Sequence, residues 1–314
     1  MTGAPGPVPA TASGRGSVLV LGEALVDLVP ATGDPGVLAA QPGGGPANVA
    51  VGLARLGGRP SFAGGIGDDA FAARVEAWLS GSGVDLSLSA RSALPTALAV
   101  ADPGPGGNAY HFHLEDTATF RVPDRSPEAA RFRAVYAGGL AAVVEPAAEA
   151  VAATARAAAR HGLLAVDPNV RRDRTLDPVA SLRRLRELCG LAQVVKASDE
   201  DVARLWPEAD PETSCRRLAG QGRLVVLTRG ARGAVAYVDD SPPVSVPALP
   251  VRVVNTIGAG DAFMAGMLTW LGAEAGWDPA LGAGQTRAML EYAAETAASV
   301  CSRAGTEPVP PLSV

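Results

Sequence analysis

Apolar residues follow two patterns along the chain, short continuous runs and longer runs with helical spacing. The run Ser17–Gly22 predicts a buried strand, and Pro46–Gly57 has apolar residues at helical spacing before a terminal pair of glycines. From Ala134 onward, buried-type strands alternate with helices. The predicted segments are 134–137, 146–161, 163–167, 179–188, 193–196 and 224–228, then a helix from 259 and another near 286–301. This alternation predicts βαβ units and a parallel sheet, an α/β fold.

The stretch between the first helices and Ala134 has a different pattern. Ser61–Ile66 predicts a strand and Phe71–Gly81 a helix. Thr96–Ala101 and Ala109–Leu114 then alternate between apolar and polar residues, and a Pro/Gly-rich segment joins them. Two such runs around a turn-forming segment predict a β-hairpin.

Composition excludes several classes of protein. The 314 residues are 47% hydrophobic, enough to bury a sizeable core, which excludes wholesale disorder. The formal charge of −5 argues against a nucleic-acid-binding protein, which would present a basic face. No apolar run reaches the roughly 18 residues that a membrane-spanning helix needs. We therefore expect neither nucleic acid nor membrane as a partner.

The single lysine, the cysteines and the N-terminal residues exclude several kinds of site and a signal peptide. Lys196 is the only lysine and no glycine loop precedes it, so a P-loop is excluded. The cysteines at 189, 215 and 301 lack CxxC spacing, which indicates reduced core residues rather than a zinc site or disulfides. Residues 1–16 have neither the basic nor the apolar region of a signal peptide. We expect a disordered leader over 1–16 and a cytoplasmic protein.

The strongest chemical signal is NTIGAGDAF at 255–263. A β-branched strand ends in a Gly-Ala-Gly turn that leads directly into an apolar helix. The first turn of a helix presents N–H groups that bind phosphate or a developing anion. Asp261 lies in that turn, where a carboxylate suits a general base for a hydroxyl that attacks phosphate. Alternatively, Asp261 only stabilises the helix through its dipole.

A second signal is the sequence GGGPAN at 43–48. Three glycines let a loop pass close to a small polar ligand, and Pro46 suits a first helical turn. Asn48 supplies both a donor and an acceptor, which suits sugar hydroxyls. The alternative is a flexible turn that caps a helix.

Together these segments resemble the two signatures of the ribokinase-like (PfkB) carbohydrate kinases. Gly43–Ala50 with Gly64–Phe71 is similar to the first signature, and NTIGAGDAFMAG at 255–266 to the second. Four other segments match in order: GEALVD at 22–27, DPNVR of the fructokinase-like branch at 167–171, KASDED at 196–201 and LTRGARG at 227–233. The resemblance is specific because all six pieces occur in the family's order over nearly the whole chain.

The resemblance implies a doubly wound, mostly parallel sheet with helices on both faces, as one kinase domain over residues 17–314. It also implies a small β-sheet lid over the sugar, from insertions at about 30–42 and 95–121. The second insertion coincides with the predicted hairpin. A lid sheet with unpaired edges makes a homodimer through the lids an expectation.

The resemblance further implies a role for each matching residue. Asp261 is the implied catalytic base, and the backbone of Gly258, Ala259 and Gly260 is the implied anion hole for the γ-phosphoryl group of ATP. The implied sugar ligands are Asp27, at the end of the opening strand, with Gly44, Asn48 and Arg171. The implied nucleotide-side residues are Lys196, Ser198, Thr228, Gly230 and Gly260.

Two positions depart from the family pattern. The family has an NxxE motif that organises the metal, and this chain has Ser198 and Asp201 at the first and last positions of that motif. Because Glu200 is adjacent to Asp201, both Asp201 and Glu200 are candidates to hold Mg²⁺ through water. Asn255 stands where most members have Asp. Because that position helps to bind a monovalent cation in several relatives, a requirement for K⁺ stays open.

Fructose is the favoured substrate, because 22–27, 167–173 and the lid segment 110–119 look fructokinase-like. Ribose, nucleosides and 2-keto-3-deoxygluconate remain alternatives within the family. A non-catalytic sugar-binding regulator would be expected to lose the base or the anion hole, and both are present. A dinucleotide-dependent oxidoreductase needs GxGxxG after the first strand, which Gly22-Glu23-Ala24 does not supply. His111 and His113 share one side of a strand, but a lid strand over a sugar explains them better than a metal site.

Overall fold

The computed structural model describes residues 18–31, 34–104, 107–171, 173, 175–220 and 222–303. The predicted leader, 1–16, lies outside the described residues. The described strands are β1 (Val18–Leu21), β2 (Leu25–Ala31), β3 (Asp34–Gly43), β4 (Ser61–Ala63), β5 (Gly65–Ile66), β6 (Ala90–Arg91), β7 (Leu98–Gly104), β8 (Gly107–His113), β9 (Ala134–Gly138), β10 (Leu163–Asp167), β11 (Val194–Ser198), β12 (Leu224–Thr228), β13 (Ala234–Val238) and β14 (Val244–Val246).

The helices of the same residues are α1 (Gly45–Arg55), α2 (Ala70–Gly81), α3 (Ala147–His161), α4 (Pro178–Leu191), α5 (Asp199–Leu205), α6 (Pro211–Ala219), α7 (Ala259–Glu274) and α8 (Ala283–Cys301). In this part of the chain no helix combines the length and apolar character needed to cross a membrane. Short 3₁₀ turns connect some of the strands and helices; two of these turns are Leu140–Ala142 after β9 and Gly230–Arg232 after β12.

The main sheet has the order β14-β13-β12-β11-β10-β9-β1-β4 within the described residues. Its strands from β4 to β12 are parallel, and β13 and β14 are antiparallel additions at one edge. The parallel strands are those that the alternation of strands and helices predicts, and the mostly parallel, doubly wound sheet is the one that the family resemblance implies. The predicted helices near 146–161, 179–188 and 286–301 are confirmed as α3, α4 and α8.

The strands of this sheet are mostly apolar because both faces are covered. Along β1, Leu19 and Leu21 belong to one core while Val18 and Val20 belong to the other, in the two-residue alternation of a strand. Helices α3 and α4 contribute to the first core, and α1, α7 and α8 contribute to the second. The two helices that begin with glycine-rich turns, α1 and α7, therefore pack on the same face.

Two strand predictions are wrong in their extent. The opening strand ends at Leu21, and Asp27 lies in β2 rather than at the end of β1. The chain turns at Gly22, whose φ is +151° and whose Cβ, if present, would lie 2.2 Å from Pro46 Cγ. The predicted strand 61–66 is divided into β4 and β5 at Gly64, where a Cβ would lie 2.4 Å from Phe62 Cε1.

A second sheet has the order β3-β2-β7-β8. The predicted hairpin is confirmed as β7 and β8, which pair antiparallel from Leu98 with His113 to Gly104 with Gly107. The other outer pair, β2 and β3, is also antiparallel, and β2 and β7 run parallel in the middle. Asp27 thus reaches the site from this second sheet, whose role as a lid stays a prediction.

Candidate active site

The N-terminus of α7 is built without a side-chain cap. Gly258 is its N-cap residue, with φ 79° and ψ −4°, a left-handed conformation that favours glycine. Asp261 lies in the first turn and is 8% exposed. A helix start with free N–H groups attracts anions, so this turn can hold a phosphate beside a buried carboxylate.

Asn48 of α1 contacts that carboxylate directly. Its Nδ2 donates a 2.8 Å hydrogen bond to Asp261 Oδ2. Asn48 Oδ1 is buried and has no hydrogen-bond partner among the described residues. Because an unpaired buried acceptor is costly, this oxygen indicates a place for a ligand hydroxyl next to Asp261.

The glycine loop before α1 lies where three other segments converge. A Cβ at Gly43 would lie 2.1 Å from Asp27 Oδ2. One at Gly45 would lie 3.0 Å from Asn169 Nδ2 and 3.4 Å from Asp261 Oδ1. Gly44, with φ 104°, would place a Cβ 2.6 Å from the carbonyl oxygen of Glu23. The loop has no room for side chains because the polar groups of the site occupy that space.

Burial raises the pKa values of the carboxylates in this region. It raises the pKa of Asp27 to about 6, although the nearby Arg171 guanidinium lowers it. Burial also raises the pKa of Asp261, which the hydrogen bond from Asn48 and the charges of Lys196 and Arg171 offset in part. Arg171 itself is exposed and acts on both carboxylates through its charge. A base with a raised pKa accepts a proton more readily.

Lys196, in the middle of β11, and Asp167, at the end of β10, form a buried ion pair. Lys196 Nζ lies 2.6 Å from Asp167 Oδ2, and the side chains are 5% and 2% exposed. Burial disfavours the ammonium, but the Asp167 carboxylate outweighs this and raises the pKa of Lys196. The lysine therefore carries a positive charge inside the protein at neutral pH.

The two candidate acids for Mg²⁺, Asp201 and Glu200, lie in different environments. Asp201 and Ser198 form a capping box at the start of α5, and Asp201 Oδ1 also accepts the N–H of Val170 at 2.9 Å. Glu200 has a side chain that is 77% exposed and lies 3.7 Å from Arg204. The described residues contain no group of three or more His, Cys, Asp or Glu side chains placed to hold a metal ion.

The remaining predicted nucleotide residues lie at the same edge of the sheet. Thr228 ends β12, and its Oγ1 donates a 3.3 Å hydrogen bond to the carbonyl of Ala197. Gly230 follows with φ 54° and is exposed. Asn255, before the Gly-Ala-Gly turn, accepts the N–H of Ile257 through Oδ1 at 3.0 Å.

Sequence reasoning missed the roles of Glu23 and Asp167. Glu23 is 2% exposed, and its carboxylate accepts the N–H groups of Leu140 and Ala141 at 3.1 and 2.9 Å. Burial raises the pKa of Glu23 to about 7. The available signal was an acidic residue immediately after a buried strand. That signal is weak because most acidic residues in loops are exposed.

Comparison with known proteins finds similarity over most of the chain. The model of the pfkB family carbohydrate kinases matches residues 15–311. A fructokinase of Klebsiella pneumoniae is 35% identical over 265 residues, which cover 82% of this chain and 85% of that protein.

The solved structures with a similar fold include two fructokinases. A fructokinase from Xylella fastidiosa with bound ATP has a TM-score of 0.83 at 28% identity and covers 93% of this chain and 94% of that chain. A fructokinase from Vibrio cholerae, bound to fructose, ADP and a calcium ion, has a TM-score of 0.80 at 26% identity with the same coverage. With its buried acid beside an uncapped helix start, the chain belongs to the pfkB family of carbohydrate kinases.

Proposed function

We propose that this protein transfers the γ-phosphoryl group of ATP to a primary hydroxyl of fructose. The observation that carries the proposal is the position of Asp261, which lies in the first turn of α7, a helix start without a side-chain cap, and is hydrogen-bonded to the Asn48 amide, whose Oδ1 has no partner among the described residues. A hydroxyl that binds Asn48 is held beside a carboxylate base and faces an anion-binding helix start. Those are the parts that phosphoryl transfer to an alcohol requires.

The sugar side of the site consists of Asp27, Gly44, Asn48 and Arg171. Asp27 lies against Gly43 of the glycine loop, Asn48 lies in the helix that follows the loop, and Gly44 lets a ligand approach the backbone. The second sheet would cover this sugar, since Tyr110 of β8 is close enough for Asp27 and Arg171 to affect its pKa. Such a cover would exclude water, which protects ATP from hydrolysis.

On the phosphate side, the N–H groups of Gly258, Ala259 and Gly260 would bind the transferred group. Asp261 would take the proton of the sugar hydroxyl as its oxygen attacks the γ-phosphorus. The nucleotide would extend over Ser198, Thr228 and Gly230, which lie at the ends of β11 and β12. Open α/β sheets bind ligands at this edge.

Mg²⁺ fits this arrangement as a partner of the phosphates. It usually keeps several waters and uses only one or two carboxylates, so a cluster of protein ligands is not required. Asp201 would hold it through water and is favoured over Glu200, which is exposed and paired with Arg204. When bound, Mg²⁺ neutralises the charge of the phosphate oxygens.

Three further points belong to the proposal. Asn255 is uncharged and its Oδ1 accepts the N–H of Ile257, so we expect K⁺ to have little effect on activity. The location is the cytoplasm, where ATP is available. Two copies would pair through the second sheet, since β3 is an edge strand with Val37 and Leu38 exposed by 51% and 44%.

The decisive experiment measures ADP release with a panel of fructose, ribose, 2-keto-3-deoxygluconate and nucleosides. We expect the highest kcat/KM with fructose, and mass spectrometry of the product should find one added phosphate. A higher kcat/KM with another sugar would correct the substrate and keep the reaction class. Absence of phosphorylation of every sugar, in a protein that binds ATP, would contradict the proposed function.

Asp27→Ala tests the sugar side of the proposal. Loss of a charged hydrogen-bond partner typically costs about 1.5–3 kcal/mol, so the fructose KM should rise by roughly 10- to 100-fold. The dissociation constant for ATP should change little, and calorimetry measures it separately. Equal losses of affinity for fructose and ATP would point instead to a structural role of Asp27.

A further inference from the structure

Asp173 lies in the loop after β10, two residues beyond the DPNVR segment that the family resemblance covers. One oxygen of its carboxylate, Oδ1, accepts the N–H of Thr175 at 2.8 Å and also accepts the hydroxyl of that residue. The other oxygen, Oδ2, accepts the N–H of Phe112 at 3.3 Å. Asp173 therefore joins its own loop to strand β8, 61 positions earlier in the chain.

Strand β8 is the outer strand of the second sheet. In the order β3-β2-β7-β8 it pairs only with β7 among the described strands, so alternate N–H groups along it point away from the sheet. Such N–H groups hydrogen-bond to side chains or to water, and a charged acceptor makes the stronger bond. The carboxylate of Asp173 thus holds the outer edge of β8 against the loop.

Two aromatic side chains of β8 lie at this contact. The rings of Tyr110 and Phe112 are stacked, with centroids 6.0 Å apart and planes inclined by 21°. Residues two positions apart share one face of a strand, and both rings are half-buried there. Burial raises the pKa of Tyr110, and the charges of Asp27 and Arg171 also act on it, which places this aromatic face near the proposed sugar side of the site.

The loop is also held close to its start. The N–H of Val170 donates to Asp201 Oδ1 at 2.9 Å, and Arg204 Nη1 donates to the carbonyl of Val170 at 3.4 Å. Arg171, the implied sugar ligand, lies in the chain between this anchor on α5 and Asp173. The contact from Asp173 therefore sets the position of β8 relative to the loop that carries Arg171.

We propose that Asp173 is a positioning residue for phosphoryl transfer, which holds β8 and its aromatic face over the sugar by binding the N–H of Phe112. This inference rests on the proposed function, because it takes the sugar to lie beside Asp27 and Arg171. Without the contact, water reaches the γ-phosphate in place of the sugar hydroxyl. The water oxygen then bonds to the γ-phosphorus and the bond from that phosphorus to the β,γ-bridging oxygen breaks. The products are ADP and inorganic phosphate, and one proton passes to Asp261.

Asp173→Asn separates the contact with β8 from the structure of the loop. The amide keeps one oxygen, which can still accept the N–H of Thr175, but its NH₂ group then faces the N–H of Phe112, and two donors do not form a hydrogen bond. Thr175→Val is the matched control, since it removes the hydroxyl donor to Oδ1 of the same carboxylate and leaves Oδ2 in place. Thermal unfolding shows whether both variants are folded.

Amide hydrogen exchange at Phe112 measures the contact directly. Labelling with ¹⁵N-phenylalanine gives six amide resonances, because the chain has six phenylalanines, and the Phe112 resonance is the one that is lost in Phe112→Tyr. We expect this amide to exchange slowly in the wild type, roughly 10-fold faster or more in Asp173→Asn, and at the wild-type rate in Thr175→Val. Fast exchange in the wild type, or equal rates in the wild type and Asp173→Asn, would overturn the assignment.

Steady-state kinetics measure the consequence for the reaction. Asp173→Asn should raise the fructose KM by about 10-fold and leave the dissociation constant for ATP nearly unchanged. The amount of ADP formed per sugar phosphate should also rise above the wild-type ratio, whereas Thr175→Val should keep both the wild-type KM and the wild-type ratio. A lower kcat at an unchanged product ratio would reduce Asp173 to a structural role and overturn the inference.

The wild type distinguishes a failure of this inference from a failure of the proposed function. A wild type that phosphorylates no sugar would overturn both. A wild type that phosphorylates fructose, with Asp173→Asn equal to it in KM and in product ratio, would overturn the role of Asp173 alone. If the sugar panel identifies another substrate, the same comparison is made with that sugar.

Discussion

Asp261 and Asn48 are 213 positions apart in the chain, yet a 2.8 Å hydrogen bond joins them. The bond fixes one oxygen of the carboxylate and lowers the pKa that burial raises. It also leaves Asn48 Oδ1 free of partners in the described structure, ready for a hydroxyl. At the scale of residues, one amide would, under the proposed function, orient both the base and the hydroxyl that gives up its proton.

Asp261→Asn is predicted to remove the proton acceptor while it keeps the size of the side chain. A general base contributes about 10²–10⁴-fold, so kcat should fall by at least that range while ATP binding persists. In the wild type, burial raises the pKa of Asp261, so kcat should decline with falling pH at values above those typical of an exposed Asp. The measurements are kcat against pH and thermal unfolding. A kcat within about threefold of the wild type would contradict the role of base.

At the scale of elements, the capping box of α5 holds a neighbouring loop in addition to starting the helix. Asp201 accepts hydrogen bonds from Ser198 and, through its other oxygen, from the N–H of Val170. Val170 directly precedes Arg171, so this one carboxylate fixes α5 and the loop after β10 together. The Asp201 carboxylate therefore joins the proposed sugar side of the site to the proposed nucleotide side.

Asp201→Ala is predicted to reduce both stability and activity. It leaves the buried N–H of Val170 without its acceptor, which costs about 1–3 kcal/mol, and it frees the loop that carries Arg171. Denaturant unfolding and the fructose KM measure the two effects. Asp177→Ala is the control, because Asp177 caps α4 in a comparable way and should cost only about 0.5–2 kcal/mol of stability. An altered Mg²⁺ dependence as well would support the proposed magnesium role of Asp201, whereas unchanged stability and an unchanged fructose KM would contradict this prediction.

For the whole molecule, the site depends on how the two sheets are joined at the end of β1. The chain turns at Gly22, and Glu23 then accepts N–H groups from the 3₁₀ turn after β9, 117 and 118 positions away. A Cβ at Gly139 would lie 2.5 Å from Glu23 Oε1, so the turn closes tightly over this carboxylate. Glu23 thus ties the entry of the second sheet to the middle of the main sheet.

Glu23→Gln is predicted to remove a pH dependence of stability. Burial raises the pKa of Glu23 from 4.5 to about 7, so its stabilising contribution is complete below pH 4.5 and is lost as the pH rises through about 7. The shift corresponds to about 3 kcal/mol. The stability of the wild type relative to Glu23→Gln should therefore fall by about that amount between pH 4.5 and 8. Urea unfolding at both pH values measures it, and Glu149→Gln, at an exposed position of α3, is the control for net charge. A difference that does not vary with pH would contradict the prediction.

Some features of the fold escaped prediction because their sequences carry little periodic signal. The strands β13 and β14 and the helices α5 and α6 are absent from the sequence-based assignment. Helix α5 has only seven residues and α6 nine, and the exposed sides of both are strongly charged. Such short elements form because the main sheet supplies the surface on which they pack, rather than through their own propensity.

The sequence by itself determined the alternation of strands and helices, the hairpin, the glycine-rich turns before α1 and α7, and the family. These follow from local patterns of apolar residues and from motifs whose residues are neighbours in the chain. Only the tertiary structure decided that Asp27 lies in the second sheet, that Asp201 is turned toward Val170, and that Lys196 pairs with Asp167 beside Gly260. Burial and pairing depend on which distant segments the sheet brings together, and it is burial that sets the pKa values.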